Sequence, residues 1–168
     1  MKVKNKRKRR KSKMWKITID LYKDRYKEGV LRLWTYSTIS GKYIERYRCP
    51  CLGRGTTYPD SPDSWKYINS NTPTGTWDAT IDGIGDPEVY GPNPRIALTS
   101  ISGNAYIAEH TYGRSGFMIH GGRADYEPPL YPTNGCIRVY DNDQAALVNI
   151  INADGESHGT VIISENLG

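Results

Sequence analysis

The chain has 168 residues, enough for one domain with a core of its own and too short for two of ordinary size. Its formal net charge of +5 belongs to one end: residues 1–13 hold nine of the 23 Lys and Arg and no acid, leaving 14 basic against 18 acidic residues, a net of −4, from Met14 onward. No segment approaches the roughly 18 consecutive apolar residues of a membrane span, and an odd count of three cysteines does not make a disulfide framework.

The like-charged tail, 1–13, can bury little surface and is expected to be disordered and solvated. Contact with nucleic acid, anionic lipid or an anionic wall polymer is the alternative use of such a run, and the tail alone does not imply specific nucleic-acid recognition. A secretory signal would follow it with an apolar stretch of about 7 to 15 residues. Instead Met14-Trp15-Lys16-Ile17-Thr18-Ile19-Asp20-Leu21-Tyr22 alternates, which predicts a strand from Trp15 to Tyr22 and shows no export signal in the sequence as read.

Strands are next predicted over Val30 to Tyr36 and Lys42 to Arg48, closed into a hairpin at Ile39-Ser40-Gly41. Cys49-Pro50-Cys51 places two thiols on one face of a strand. A bridge between them would be strained and no second pair completes a tetrahedral site, so structural thiols are expected, with a metal or redox role as the alternative. Gly53 to Asn71 lacks periodicity and reads as a surface loop. The turn Thr72-Pro73-Thr74-Gly75-Thr76-Trp77 leads into a strand, Trp77 to Ile81. Arg95 to Ile101 and Ala105 to Glu109 are read as a second hairpin about Ser102-Gly103-Asn104.

Gly116 to Ile119 is the next strand, followed by a loop, Gly121 to Asn134, holding Pro128, Pro129 and Pro132, and a strand Ile137 to Tyr140. A helix is predicted over Asn142 to Ile151, capped by Asp141 with Gln144 completing a capping box and Ala145, Leu147, Val148 and Ile151 as its apolar stripe. Thr160 to Ser164 is the last strand. Thirteen Tyr and four Trp among 17 Gly and ten Pro make the body, 14–168, a mostly-β domain.

The chemistry concentrates in two segments, Gly116-Phe117-Met118-Ile119-His120-Gly121-Gly122 and Thr133-Asn134-Gly135-Cys136-Ile137-Arg138. A thiol of pKa about 8.5 is mostly protonated at neutral pH and needs a base within reach. His120 is the candidate base for a Cys136 nucleophile, while His110 and His158 read as exposed or satisfied side chains. After Gly135 the thiol can sit on a tight turn, where the amides of Gly135, Cys136 and Asn134 can point at a developing oxyanion. Arg138, two residues beyond, shares the face of the thiol. It is either in an ion pair with Asp141 or Asp143 or a clamp for a substrate carboxylate. Arg123, Tyr126 and Tyr131 are either solvated loop residues or part of a lid over a groove.

These residues resemble the L,D-transpeptidase catalytic domain (YkuD) family over about residues 40 to 150. Its signature is a His-Gly, a loop, then Ser/Thr-x-Gly-Cys-apolar-Arg, and Thr72-Pro73-Thr74-Gly75 looks like its Thr-Pro-x-Gly turn. Asn134 departs from it, since many members have histidine there. The resemblance implies a β-sandwich of mixed sheets with one or two short helices, a Gly121 carbonyl that orients the imidazole, and substrate contacts from Arg138, Arg123, Tyr126, Tyr131 and Thr133. It implies peptidoglycan stem peptides as substrate and a thioester acyl-enzyme resolved by an amine to give a 3-3 cross-link, or by water as an L,D-carboxypeptidase. No metal or cofactor is needed by this mechanism, a monomer is expected, and the substrate lies in the cell envelope. The rival readings are an effector of the same family that trims a competitor's wall, and an inactive domain that binds wall material or an anionic polymer.

Overall fold

The computed structural model describes residues 13–123 and 128–168. The expectations for the basic tail through residue 12 and for Tyr126 fall outside the described residues.

Eight strands form one mixed sheet in the order β3-β2-β1-β8-β4-β5-β6-β7. They are β1 (Trp15–Tyr22), β2 (Gly29–Ser37), β3 (Lys42–Cys51), β4 (Gly75–Ile81), β5 (Ile96–Ser102), β6 (Met118–His120), β7 (Ile137–Arg138) and β8 (His158–Leu167). The pairs β1–β8 and β6–β7 are parallel and the others antiparallel. Leu52, just past β3, bridges Arg138 of β7 through two backbone hydrogen bonds of 2.9 and 3.0 Å. The two edges of the sheet thus meet, and the sheet curls around its own core as a sandwich does.

Period-two alternation decides which faces turn inward. Trp15, Ile17, Ile19 and Leu21 of β1 are buried with Leu31 and Leu33 of β2, Trp77 and Ala79 of β4, and Val161 and Ile163 of β8. On the outer face Arg32 bridges Asp20 (3.1 Å) and Glu45 (3.4 Å), and Arg48 joins Glu45 at 3.0 Å, so the exposed edge strand is charged and poorly suited to pairing with another sheet. Cys49 and Cys51 are buried free thiols. Burial, with Asp143 nearby, pushes Cys49 up to about 12, and burial also raises Cys51 well above the ordinary thiol value.

Three helices complete the chain: α1 (Pro87–Tyr90), α2 (Asn104–His110) and α3 (Asp141–Asp154). The predicted strand Ala105 to Glu109 is wrong, because this segment is α2. Gly103, at φ 77°, turns the chain out of β5, and Ala105 and Ala108 bury at helical spacing while Tyr106 stacks on His110. The strand that pairs with β5 is therefore β6. The capping box on α3 is also absent: its N-cap is Tyr140, without a side-chain bond. Asp141 Oδ1 instead accepts from the Gly122 amide (2.7 Å), and Gln144 Nε2 donates to the carbonyls of Tyr90, Asn93 and Pro94. Tertiary partners took both side chains from the local motif. Leu147, Val148 and Ile151 bury as expected, and Gly155 ends the helix in the left-handed region.

Gly159 pairs with Trp15 across β1 and β8, and a Cβ there would overlap the indole ring, which is itself fully buried. Gly159→Ala is expected to cost about 1–3 kcal/mol by overpacking, read as a lowered denaturation midpoint at unchanged m-value.

Candidate active site

The parallel pair β6–β7 brings the two halves of the motif together. In its register Ile119 faces Ile137 and His120 faces Arg138, so His120 ends one strand and Cys136 immediately precedes the other. Both line one open groove of ≈ 360 Å³, shared with Tyr90, Met118, Arg123, Tyr131 and Asn134.

His120 is buried. Its Nδ1 lies 2.7 Å from the Gly121 carbonyl oxygen, which can only accept, so Nδ1 carries the proton and Nε2 keeps a lone pair. The edge of Tyr90 packs against the ring at a centroid separation of 5.0 Å. Burial pulls the imidazole pKa down to about 4, outweighing the Gly121 bond, with the cations Arg138 and Arg95 adding to the fall. At neutral pH the ring is uncharged and can take up a proton.

The Cys136 thiol donates to the Gly116 carbonyl at 3.5 Å. Burial pushes its pKa up to about 11, against the Met118 backbone hydrogen bond and the charges of Arg138, Arg114 and Arg95. Thiol and imidazole are thus both neutral at rest. No standing thiolate–imidazolium pair is stored, so any reaction of this thiol as a nucleophile has to include loss of its proton.

The turn that presents the thiol is braced from below. Thr72 Oγ1 reaches the carbonyls of Gly135 (2.7 Å) and Cys136 (3.2 Å), and the Thr72 carbonyl accepts from Arg25 at 2.9 Å. Thr133 Oγ1 donates to the Cys136 carbonyl (2.7 Å) and accepts from the Gly135 amide (3.0 Å). To serve an oxyanion, the Gly135 N–H has to leave Thr133. The Asn134 side chain accepts from Thr56 Oγ1 at 3.3 Å. Gly135 holds φ 122°, in the region that favours glycine, and a Cβ there would overlap the Arg114 guanidinium. From the sequence Thr72 reads only as part of a structural turn, and no motif singles out Arg114.

Arg138 is buried and directs its guanidinium to the backbone carbonyls of Gly121 (2.6 Å), Tyr131 (2.7 Å), Val89 and Pro132. It thereby ties down carbonyls on both sides of the connection between His120 and Cys136. Neither expected ion pair forms among the described residues: Asp141 accepts from Gly122, and Asp143 accepts from the Tyr47 hydroxyl at 2.6 Å. Arg123 keeps a loose pair with Glu88 at 3.6 Å and lies 6.0 Å from the Tyr131 ring centroid. His110 and His158 sit on the surface, beside Tyr106 and Asp78.

A family model described as the L,D-transpeptidase catalytic domain, YkuD, matches residues 14–163. The chain belongs to that family. L,D-transpeptidase-family domains act on peptidoglycan peptides. Among solved structures, the chain is similar to the helical cell shape determining protein Pgp2 from Campylobacter jejuni, at 18% identity and a TM-score of 0.57, covering 92% of this chain and 49% of that one. It is similar also to Bd1075 of Bdellovibrio bacteriovorus, at 14% identity and a TM-score of 0.59, with 92% and 49% covered. The chain spans about half the length of either, and at these identities the likeness is one of fold. No curated protein matches the sequence. No helix among the described residues is long and apolar enough to cross a membrane.

In this L,D-transpeptidase-family domain, iodoacetamide should modify Cys136 slowly at neutral pH, with a rate that climbs about tenfold per pH unit toward a midpoint near 11. Peptide mass mapping across pH checks this, and a rate already flat at neutral pH would mean a standing thiolate.

Proposed function

We propose that the chain is a cysteine-dependent acyl-transfer enzyme acting on peptidoglycan stem peptides, an L,D-transpeptidase that forms 3-3 cross-links through a thioester. The observation that carries this reading is the neutral His120 ring, fixed by the Gly121 carbonyl with Nε2 left as acceptor, in the groove that also holds Cys136.

Nε2 takes the proton from Cys136 Sγ as sulfur bonds to the carbonyl carbon of the third stem residue. The carbonyl electron pair moves to oxygen, and the turn amides, with the Gly135 N–H first released from Thr133, meet the charge that develops there. Collapse re-forms the carbonyl and breaks the C–N bond to the terminal D-alanine, which leaves with the proton from the imidazolium. The side-chain amine of a second stem then gives a proton to His120 and attacks the thioester, and the released thiolate is reprotonated. Water in place of the amine gives a tripeptide, the L,D-carboxypeptidase outcome. Arg123, half-exposed and only loosely paired, is the cation best placed to receive a stem carboxylate, with Tyr131 beside it. Arg138 acts from behind, holding the carbonyl that orients the base.

Mass spectrometry of a disaccharide-tetrapeptide incubated with reduced protein tests the reading. The wild type should release D-alanine, Cys136→Ala should leave the substrate intact, and His120→Ala should lose about 10²–10⁴ in rate. Dimers would name a transpeptidase and tripeptides a carboxypeptidase, while untouched substrate with the wild type would defeat the proposal. Because the base is active when neutral, kcat/KM should hold as pH falls through the ordinary histidine range and decline only toward about 4, as His120 protonates.

A further inference from the structure

Arg114 lies between α2 and β6 and is buried. Its guanidinium donates to three backbone carbonyls: Trp65 (2.6 Å), Asn71 (2.9 Å) and Ser70 (3.0 Å). One face rests on the Phe117 ring at 4.8 Å. Among the described residues no carboxylate forms an ion pair with it, in contrast to Arg25, which is held by Glu165. A buried cation without a counterion is costly, and carbonyl dipoles offset only part of that cost. Neutral donors would satisfy the same three carbonyls without burying a charge, so the charge itself calls for a use.

Its position supplies one. The guanidinium occupies the space where a side chain at position 135 would stand, directly behind the Gly135–Cys136 turn. We propose that Arg114 is a positioning residue for the nucleophile, a buried cation set behind the Gly135–Cys136 turn that stabilises the negative charge Cys136 carries as it loses its proton. The inference rests on Cys136 as the nucleophile.

The cations that act on the Cys136 thiol are Arg138 on β7, Arg114, and Arg95 just before β5, and the groove it lines also holds His120, Tyr90, Arg123 and Tyr131. Arg138 exerts the larger pull and is fastened to the loop carbonyls, and Arg114 is the cation whose guanidinium stands against Gly135 of the turn itself. The thiol is also the group that raises the Arg114 pKa against the depression to about 10 that burial causes, as expected of two groups that feel each other. A glycine at 135 is then required for two reasons at once, the backbone angle and the room for the guanidinium.

The test is iodoacetamide alkylation of Cys136 in the full chain, followed by peptide mass mapping over a range of pH, with thermal melts alongside. Arg114→Gln, neutral but still a donor, should alkylate about tenfold more slowly at a given pH, displacing the rate profile upward by about one unit. Arg114→Lys, which keeps the charge but loses most of the carbonyl bonds, should stay near the wild-type profile even where its melting temperature falls. A folded Arg114→Gln with an unshifted profile overturns the proposal. If Arg114→Gln does not fold, Arg114→Lys decides alone: a profile displaced by a full unit overturns the proposal, and one near wild type supports it. Alkylation needs no wall substrate, so a protein inactive on stem peptides leaves this outcome readable.

Discussion

Two parallel strands cannot be joined by a tight turn, and the site depends on how this chain meets that constraint at β6–β7. Such a crossover is usually a helix, which satisfies its own backbone. Here no helix lies among the described residues of the connection, 121–123 and 128–136, and their carbonyls and amides need partners from elsewhere. Arg138 supplies donors to carbonyls near both ends of the loop, Asp141 takes the Gly122 amide, and Thr72 and Thr133 brace the far end. The side chains that would otherwise cap a helix or pair on the surface are spent on holding this loop. His120 and Cys136 flank this connection, so their alignment follows from the same bonds.

The electrostatic character of the groove comes from the same arrangement. Arg138 and Arg114 are buried and bonded chiefly to carbonyl oxygens, which satisfy their donors without cancelling their charge. Burial holds both His120 and Cys136 in their neutral forms. The cations act on the two partners in opposite senses: Arg138, Arg114 and Arg95 lower the thiol pKa and ease departure of its proton, while Arg138 and Arg95 disfavour its uptake by the imidazole, so the field favours thiolate over imidazolium.

Much of this was legible in the sequence. The alternation of Trp15, Ile17, Ile19 and Leu21 marked β1, and the Gly-Cys and His-Gly segments marked the groove before any coordinates. The failures are physical. Segment 105–109 has too few residues to separate a period of two from a period of 3.6, and two alanines, which bury in either state, decided for the helix. The Asp141 and Gln144 pattern is a sound local cap, but loops far away in sequence offered better partners. Arg114 had no signal because a lone arginine before Ser115-Gly116 looks like any solvated charge; its burial is set by carbonyls of residues 65–71, which no local pattern reveals.

The place of β8 carries a consequence for the groove. The last strand in sequence order, it lies in the middle of the sheet, paired with β1 on one side and β4 on the other. The β1–β3 layer and the strands that carry the groove also meet edge to edge at the Leu52–Arg138 bridge. A strand that lends no side chain to the groove therefore closes the ring of hydrogen bonding on which the shape of the groove rests, and a shift in its register would be felt at a site it never touches.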